Sequence, residues 1–127
     1  MRHSIKNEIV AGFKTALLWI HQEDFEDIDT FSDSAELFID NLVKDFIKET
    51  NLFDLMGAFT PLNDEYSIGE LIGHDLFLSV GGFGAGFLSK PNIYNGFENN
   101  LDNFVEKKVT WINDIFINDE SHVIEIE

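Results

Sequence analysis

Apolar residues recur along this chain with two different periods. From residue 4 to 22, Ile5, Ile9, Phe13, Leu17 and Ile20 fall three to four apart, with Ala16 filling the same face. That spacing predicts an amphipathic helix, and Ser4 stands where an N-cap belongs. Ala35, Phe38, Ile39, Leu42, Phe46 and Ile47 predict a second helix ending near Glu49, with Ser32 or Asp33 as its cap. Leu52, Phe53, Leu55 and Met56 predict one further turn before Gly57, and Phe97, Leu101, Phe104, Val105 and Val109 predict a third amphipathic helix over 97–109. Between these, Pro61 disfavours helix just before it and marks a loop over 60–66.

The second period is two. After a short helical turn at about 67–72, His74, Leu76, Leu78 and Val80 alternate with Asp75, Phe77 and Ser79, the pattern of a strand with two distinct faces. The stretch Gly73 to Phe87 holds five of the nine glycines, and Gly81-Gly82 permits a tight turn. A hairpin returning through Phe83 to Leu88 is therefore expected. Trp111 to Ile117 and His122 to Glu127, around the polar Asn118-Asp119-Glu120-Ser121, predict a second hairpin. Together these elements predict one α+β domain over 1–127, with about three amphipathic helices packed on a small antiparallel sheet of about four strands.

Charge changes the picture most. Twenty-four acids against eight bases give a formal charge of −16, which repels nucleic acid and anionic membranes. Adaptation to salt is a poor account, because seven of the eight bases are lysines and thirteen phenylalanines supply a substantial core. Gln22 to Glu36 carries seven carboxylates and no base. Within it Phe25 and Phe31 are either staples to the body or apolar anchors of a contact surface. Cysteine is absent, excluding a disulfide framework or thiolate chemistry. No apolar run approaches the roughly 20 residues of a spanning helix, and the first eight residues lack the apolar core of a signal peptide. A cytoplasmic protein is expected.

The glycine-rich block, G-H-D-L-F-L-S-V-G-G-F-G-A-G-F-L-S from Gly73 to Ser89, resembles one found in small acidic phage-encoded proteins of uncharacterised function, G-H-D-F-W-L-T-R-N-G-H-G-x-G-F-W-D. Ala16 to Trp19, the Pro61 to Tyr66 segment and the C-terminal hairpin are similar to the same family more weakly. Where that family tends to have Arg, Asn, His, Trp and Asp, this chain has Val80, Gly81, Phe83, Leu88 and Ser89. What remains is mostly glycine and apolar, which fits a shared scaffold better than a shared active site. The resemblance implies a phage or mobile-element origin, in a bacterial host cell.

Catalytic patterns are thin. Gly82-x-Gly84 lacks the further glycine and the following helix of a phosphate cradle. His3, His21 and His122 are scattered without ligand spacing. On a strand, His74 and Asp75 face opposite ways, so His74 is expected to bond the hairpin base and Asp75 to brace a neighbouring element. The reading is a non-enzyme without cofactor or metal. Its function is expected to be inhibition of a host defence nuclease, restriction enzyme or CRISPR effector by mimicry of DNA. Carboxylates one helical turn apart, with Cβ atoms roughly 5–6 Å apart, stand in for backbone phosphates in a basic channel. The first candidates are Glu23, Asp24, Glu26, Asp27, Asp29 and Asp33; the second are Asp114, Asp119, Glu120, Glu125 and Glu127. The alternative is a non-catalytic accessory module, a homo-oligomer in one version, that docks a protein through exposed aromatics and the hairpin (His74, Asp75, Gly82, Phe83, Gly84).

Overall fold

The computed structural model describes residues 4–25, 28–61, 65–81, 87, 90–108, 112 and 114–127. Among the described residues the order is α1 (Ile5–Ile20), α2 (Gln22–Phe25), α3 (Asp33–Glu49), α4 (Leu52–Ala58), α5 (Ile68–Val80), α6 (Pro91–Tyr94), α7 (Glu98–Lys108), β1 (Ile115–Asn118) and β2 (Val123–Ile126). The class is α+β with helix dominant. None of these helices is long and apolar enough to cross a membrane.

Helices α1, α3 and α7 follow the amphipathic stripes that predict them. Ser32 caps α3 by accepting a hydrogen bond from the Ala35 amide at 3.0 Å. Ser4 stands at the N-cap of α1 with extended backbone, but its side chain makes no cap bond. The buried face of α1 is Ile9, Gly12, Phe13, Ala16 and Leu17.

The strand expected over 73–80 is instead the larger part of α5. Ser67 and Glu70 close a capping box: the Glu70 amide donates to Ser67 Oγ at 3.2 Å and the Ser67 amide to Glu70 Oε1 at 3.0 Å. Seven residues of α5 are buried, Gly69, Ile72, Gly73, Asp75, Leu76, Phe77 and Val80. They occupy most of the helix circumference, so no polar face breaks the run, and alternation and helical spacing both fit it. Gly81 is the C-cap of α5, not the first residue of a hairpin turn. Gly82, Phe83 and Gly84 lie outside the described residues. With that strand gone, the sheet among the described residues has two strands rather than four.

The C-terminal hairpin does form. β1 and β2 pair antiparallel with Ile115 opposite Ile126 and Asn118 opposite Val123. Ile124 and Ile126 turn inward and are buried. The free edge of β2 is covered by the acidic segment, through a parallel bridge between Phe31 and Ile124. There the Ser32 amide donates to the Ile124 carbonyl at 2.9 Å, and the Ile124 amide to the Thr30 carbonyl at 2.8 Å. Phe25 and Phe31 are both buried. They are staples, not exposed anchors.

Helices α1 and α5 cross at backbone contact. A methyl group on Gly12 would meet the Glu70 carbonyl oxygen at 2.1 Å, and one on Gly73 the Ile9 carbonyl oxygen at 2.2 Å. A methyl group on Gly69 would instead meet side chains, Glu8 Cβ at 2.6 Å and Ile5 Cδ1 at 2.8 Å. Beside the crossing, the Phe13 and Phe77 rings meet edge to face at 5.2 Å. Substituting Gly73→Ala therefore drives backbone against backbone and is expected to cost about 3 kcal/mol. Gly57→Ala in α4, where nothing lies within 4 Å, is expected to gain about 0.5–1 kcal/mol. Urea unfolding of the two variants checks both signs.

Candidate functional site

Asp75 is a carboxylate at 4% exposure in the middle of an apolar helix. A charge in that position needs partners, and α6 and the residue before it supply them. Lys90 Nζ donates to Asp75 Oδ1, and the Tyr94 hydroxyl donates to Asp75 Oδ2 at 2.5 Å. Burial, with the Asp75 carboxylate beside it, raises the Tyr94 phenol well above its ordinary range. Tyr94 thus keeps its proton and acts as a donor.

The segment bearing Lys90 and Tyr94 is fixed from three sides. The Phe87 amide donates to Ser79 Oγ at 3.2 Å, tying the approach to the end of α5. The Thr60 amide donates to the Ile93 carbonyl at 2.9 Å. Asn95, held at a positive φ of 49°, donates its side-chain amide to the Ala58 carbonyl at 2.6 Å and to Thr60 Oγ1 at 2.9 Å. The ring of Tyr94 packs into an aromatic group, edge-on to Phe59 at 5.3 Å and to Phe87 at 5.1 Å. Phe87 in turn stacks with Phe46, which meets Phe104 edge to face. One residue therefore joins the aromatic core to the buried charge.

Asp75 and Lys90 border a cavity of about 460 Å³. Thr15, Ala16 and Trp19 line it from α1, Leu71, His74 and Leu78 from α5, with Phe59, Tyr66 and Ile93 completing the wall. The wall is mostly apolar, with Asp75, Lys90 and His74 as its ionisable members. Trp19, 69% exposed, and Tyr66 mark the mouth.

His74 is one residue from Asp75, about 100° around a helix rather than on the opposite face of a strand. The Tyr66 ring meets its imidazole edge to face at 4.8 Å. Its Nε2 is buried and has no hydrogen-bond partner. Most of the hairpin that His74 is expected to bond lies outside the described residues; Asp75 braces a neighbouring element through Lys90 and Tyr94. Burial holds His74 below its ordinary value of 6.5; Asp75 and Glu70 oppose that shift and Lys90 adds to it.

The acidic candidates lie elsewhere. Glu23, Asp29, Asp33, Asp114, Asp119 and Glu120 are exposed, and Glu125 is half-buried, accepting a hydrogen bond from Asn118. Glu26, Asp27 and the side chain of Asp24 lie outside the described residues. Ion pairs among the described residues engage other acids: Lys6 with Asp40 at 2.6 Å, Lys14 with Glu36, Lys107 with Glu49 at 3.4 Å, and Lys90 with Asp75. No group of His, Asp and Glu among the described residues is arranged to hold a metal ion. Lys90, Tyr94 and the cavity went unmarked in the sequence; the only signal was a lone acid, Asp75, inside an apolar run. Comparison with family models, curated proteins and solved structures gives no match.

Two outcomes follow from this geometry. Tyr94→Phe removes one donor from a buried carboxylate while keeping the ring, and is expected to cost about 2 kcal/mol in urea unfolding. For His74, the unfolded chain takes up its proton before the folded one does. Its contribution to stability is complete above about pH 6.5 and is lost as pH falls below that value. Between pH 8 and pH 5 the wild type is expected to lose stability relative to His74→Gln, a difference that cancels the common response of the carboxylates.

Proposed function

We propose that this protein acts by binding a basic nucleic-acid-binding protein through an acidic face that imitates DNA. The reading rests above all on the Phe31–Ile124 bridge. It joins two segments, residues 15–43 and 109–127, that contain no lysine or arginine. Asp29 and Asp33 flank one side of the bridge, and the hairpin carrying Asp114, Asp119 and Glu120 forms the other. Among the described residues, the ion pairs engage other carboxylates and none of these acids. A surface of this kind attracts a basic groove, and the attraction weakens as salt rises.

The target class is a restriction nuclease or CRISPR effector, and the mode is occupation of its nucleic-acid channel without catalysis. A second reading is an accessory module that docks through apolar contacts. It is favoured by Phe53, 88% exposed, and Leu37, 60% exposed. Salt separates the two, because an aromatic-centred contact survives ionic strength that dissolves a charge-centred one.

The test is inhibition of DNA cleavage by a panel of purified restriction nucleases and CRISPR effectors. The expected inhibition is competitive with duplex DNA and falls steeply between low and physiological salt. A variant with Glu23→Gln, Asp29→Asn, Asp119→Asn and Glu120→Gln, all at exposed positions, is expected to lose at least about tenfold in potency. Equal potency of that variant at low salt contradicts the proposal.

A further inference from the structure

The acidic face makes no use of the cavity between α1, α5 and α6, which has the makings of a binding site in its own right. Its volume of about 460 Å³ exceeds the roughly 150 Å³ of an apolar cavity that takes up benzene, so it has room for an organic molecule with one or two rings. Pockets for small ligands combine apolar walls with a few convergent polar groups. Here Leu71, Leu78, Ile93 and Phe59 supply apolar wall, and Lys90, paired with Asp75, supplies a polar group.

Lys90 specifies the ligand's head group. An ammonium group has three N–H donors, and among the described residues the Lys90 ammonium has a single partner, Asp75. The described residues engage one of those three donors in a residue that lines the cavity, and a further donor there suits an acceptor oxygen. That acceptor does not need a charge. Asp75 already balances Lys90, and a chain of formal charge −16 repels anions at long range. The mouth specifies the rest. Trp19 and Tyr66 offer aromatic rings at the rim, surfaces on which a flat ring packs.

We propose that this cavity binds a small, neutral, aromatic ligand whose polar group accepts a hydrogen bond from Lys90. The site is independent of the acidic face, and either can exist without the other.

The test is a titration of the whole chain with three probes of one shape, benzamide, benzoate and ethylbenzene, followed by two-dimensional NMR. Benzamide is expected to bind saturably in the millimolar range, shifting the Trp19 indole N–H and the Leu78 methyls. It is expected to bind about tenfold more tightly than ethylbenzene, which lacks the acceptor, and more tightly than benzoate, which carries a charge. Trp19→Ala, at an exposed position that leaves folding intact, is expected to weaken benzamide several-fold; Leu78→Phe, which intrudes on the cavity, is expected to abolish binding. Should Leu78→Phe fail to fold, Trp19→Ala and the order of the three probes still decide. Absence of saturable benzamide binding overturns the proposal. So does equal affinity for ethylbenzene or benzoate, or benzamide binding that a folded Leu78→Phe or Trp19→Ala variant leaves unchanged.

Discussion

Everything in this fold is arranged around one close contact, the crossing of α1 and α5 at Gly12, Gly69 and Gly73. Side chains normally hold packed helices 8–10 Å apart. Here the missing side chains of Gly12 and Gly73 let main chain touch main chain, as the carbonyl contacts at 2.1 and 2.2 Å from the would-be methyl groups require, and Gly69 admits the side chains of Glu8 and Ile5. Such a contact tolerates no intermediate spacing, so it fixes how the two helices sit along each other. Phe13 meets Phe77 on that register, and the cavity between Trp19 and His74 opens on the same two helices.

A buried α5 creates a second requirement. Its Asp75 must be compensated, and the compensation comes from Lys90 and Tyr94 on the far side of a glycine-rich connection. A buried ion pair contributes little net stability but makes the wrong arrangement expensive. Asp75 therefore selects where α6 docks. Tyr94 then carries that choice into the aromatic core through Phe59 and Phe87. Shape decides the first contact and charge the second; the two meet within a few residues of α5.

How much of this was legible in the sequence depends on whether an element has a wet side. Helices α1, α3 and α7 and the C-terminal hairpin do, so their stripes could be read directly. Helix α5 does not, and its apolar run fits period two as well as period 3.6. Gly73, read as the start of a turn, is a contact surface. Ser67 and Glu70 carried the contrary signal, the spacing of a capping box, and it outranks alternation because it marks where a helix begins. The site was less visible still. Asp75 stood out as an acid among apolar neighbours, but its partners lie across a loop, and nothing local links them. Phe25 and Phe31 were ambiguous between staple and anchor until their burial was known.

The Phe31–Ile124 bridge also has a bearing on time. It joins positions 31 and 124, far apart along the chain, and pairings of that separation form late, because a long loop must close before the contact repays it. During synthesis β2 emerges well after the helical layer has its residues in hand. A nascent chain can thus assemble its glycine crossing and aromatic core while residues 30–32 still lack the strand they pair with. The acidic face would then be a late product of folding, completed only when the last hairpin docks.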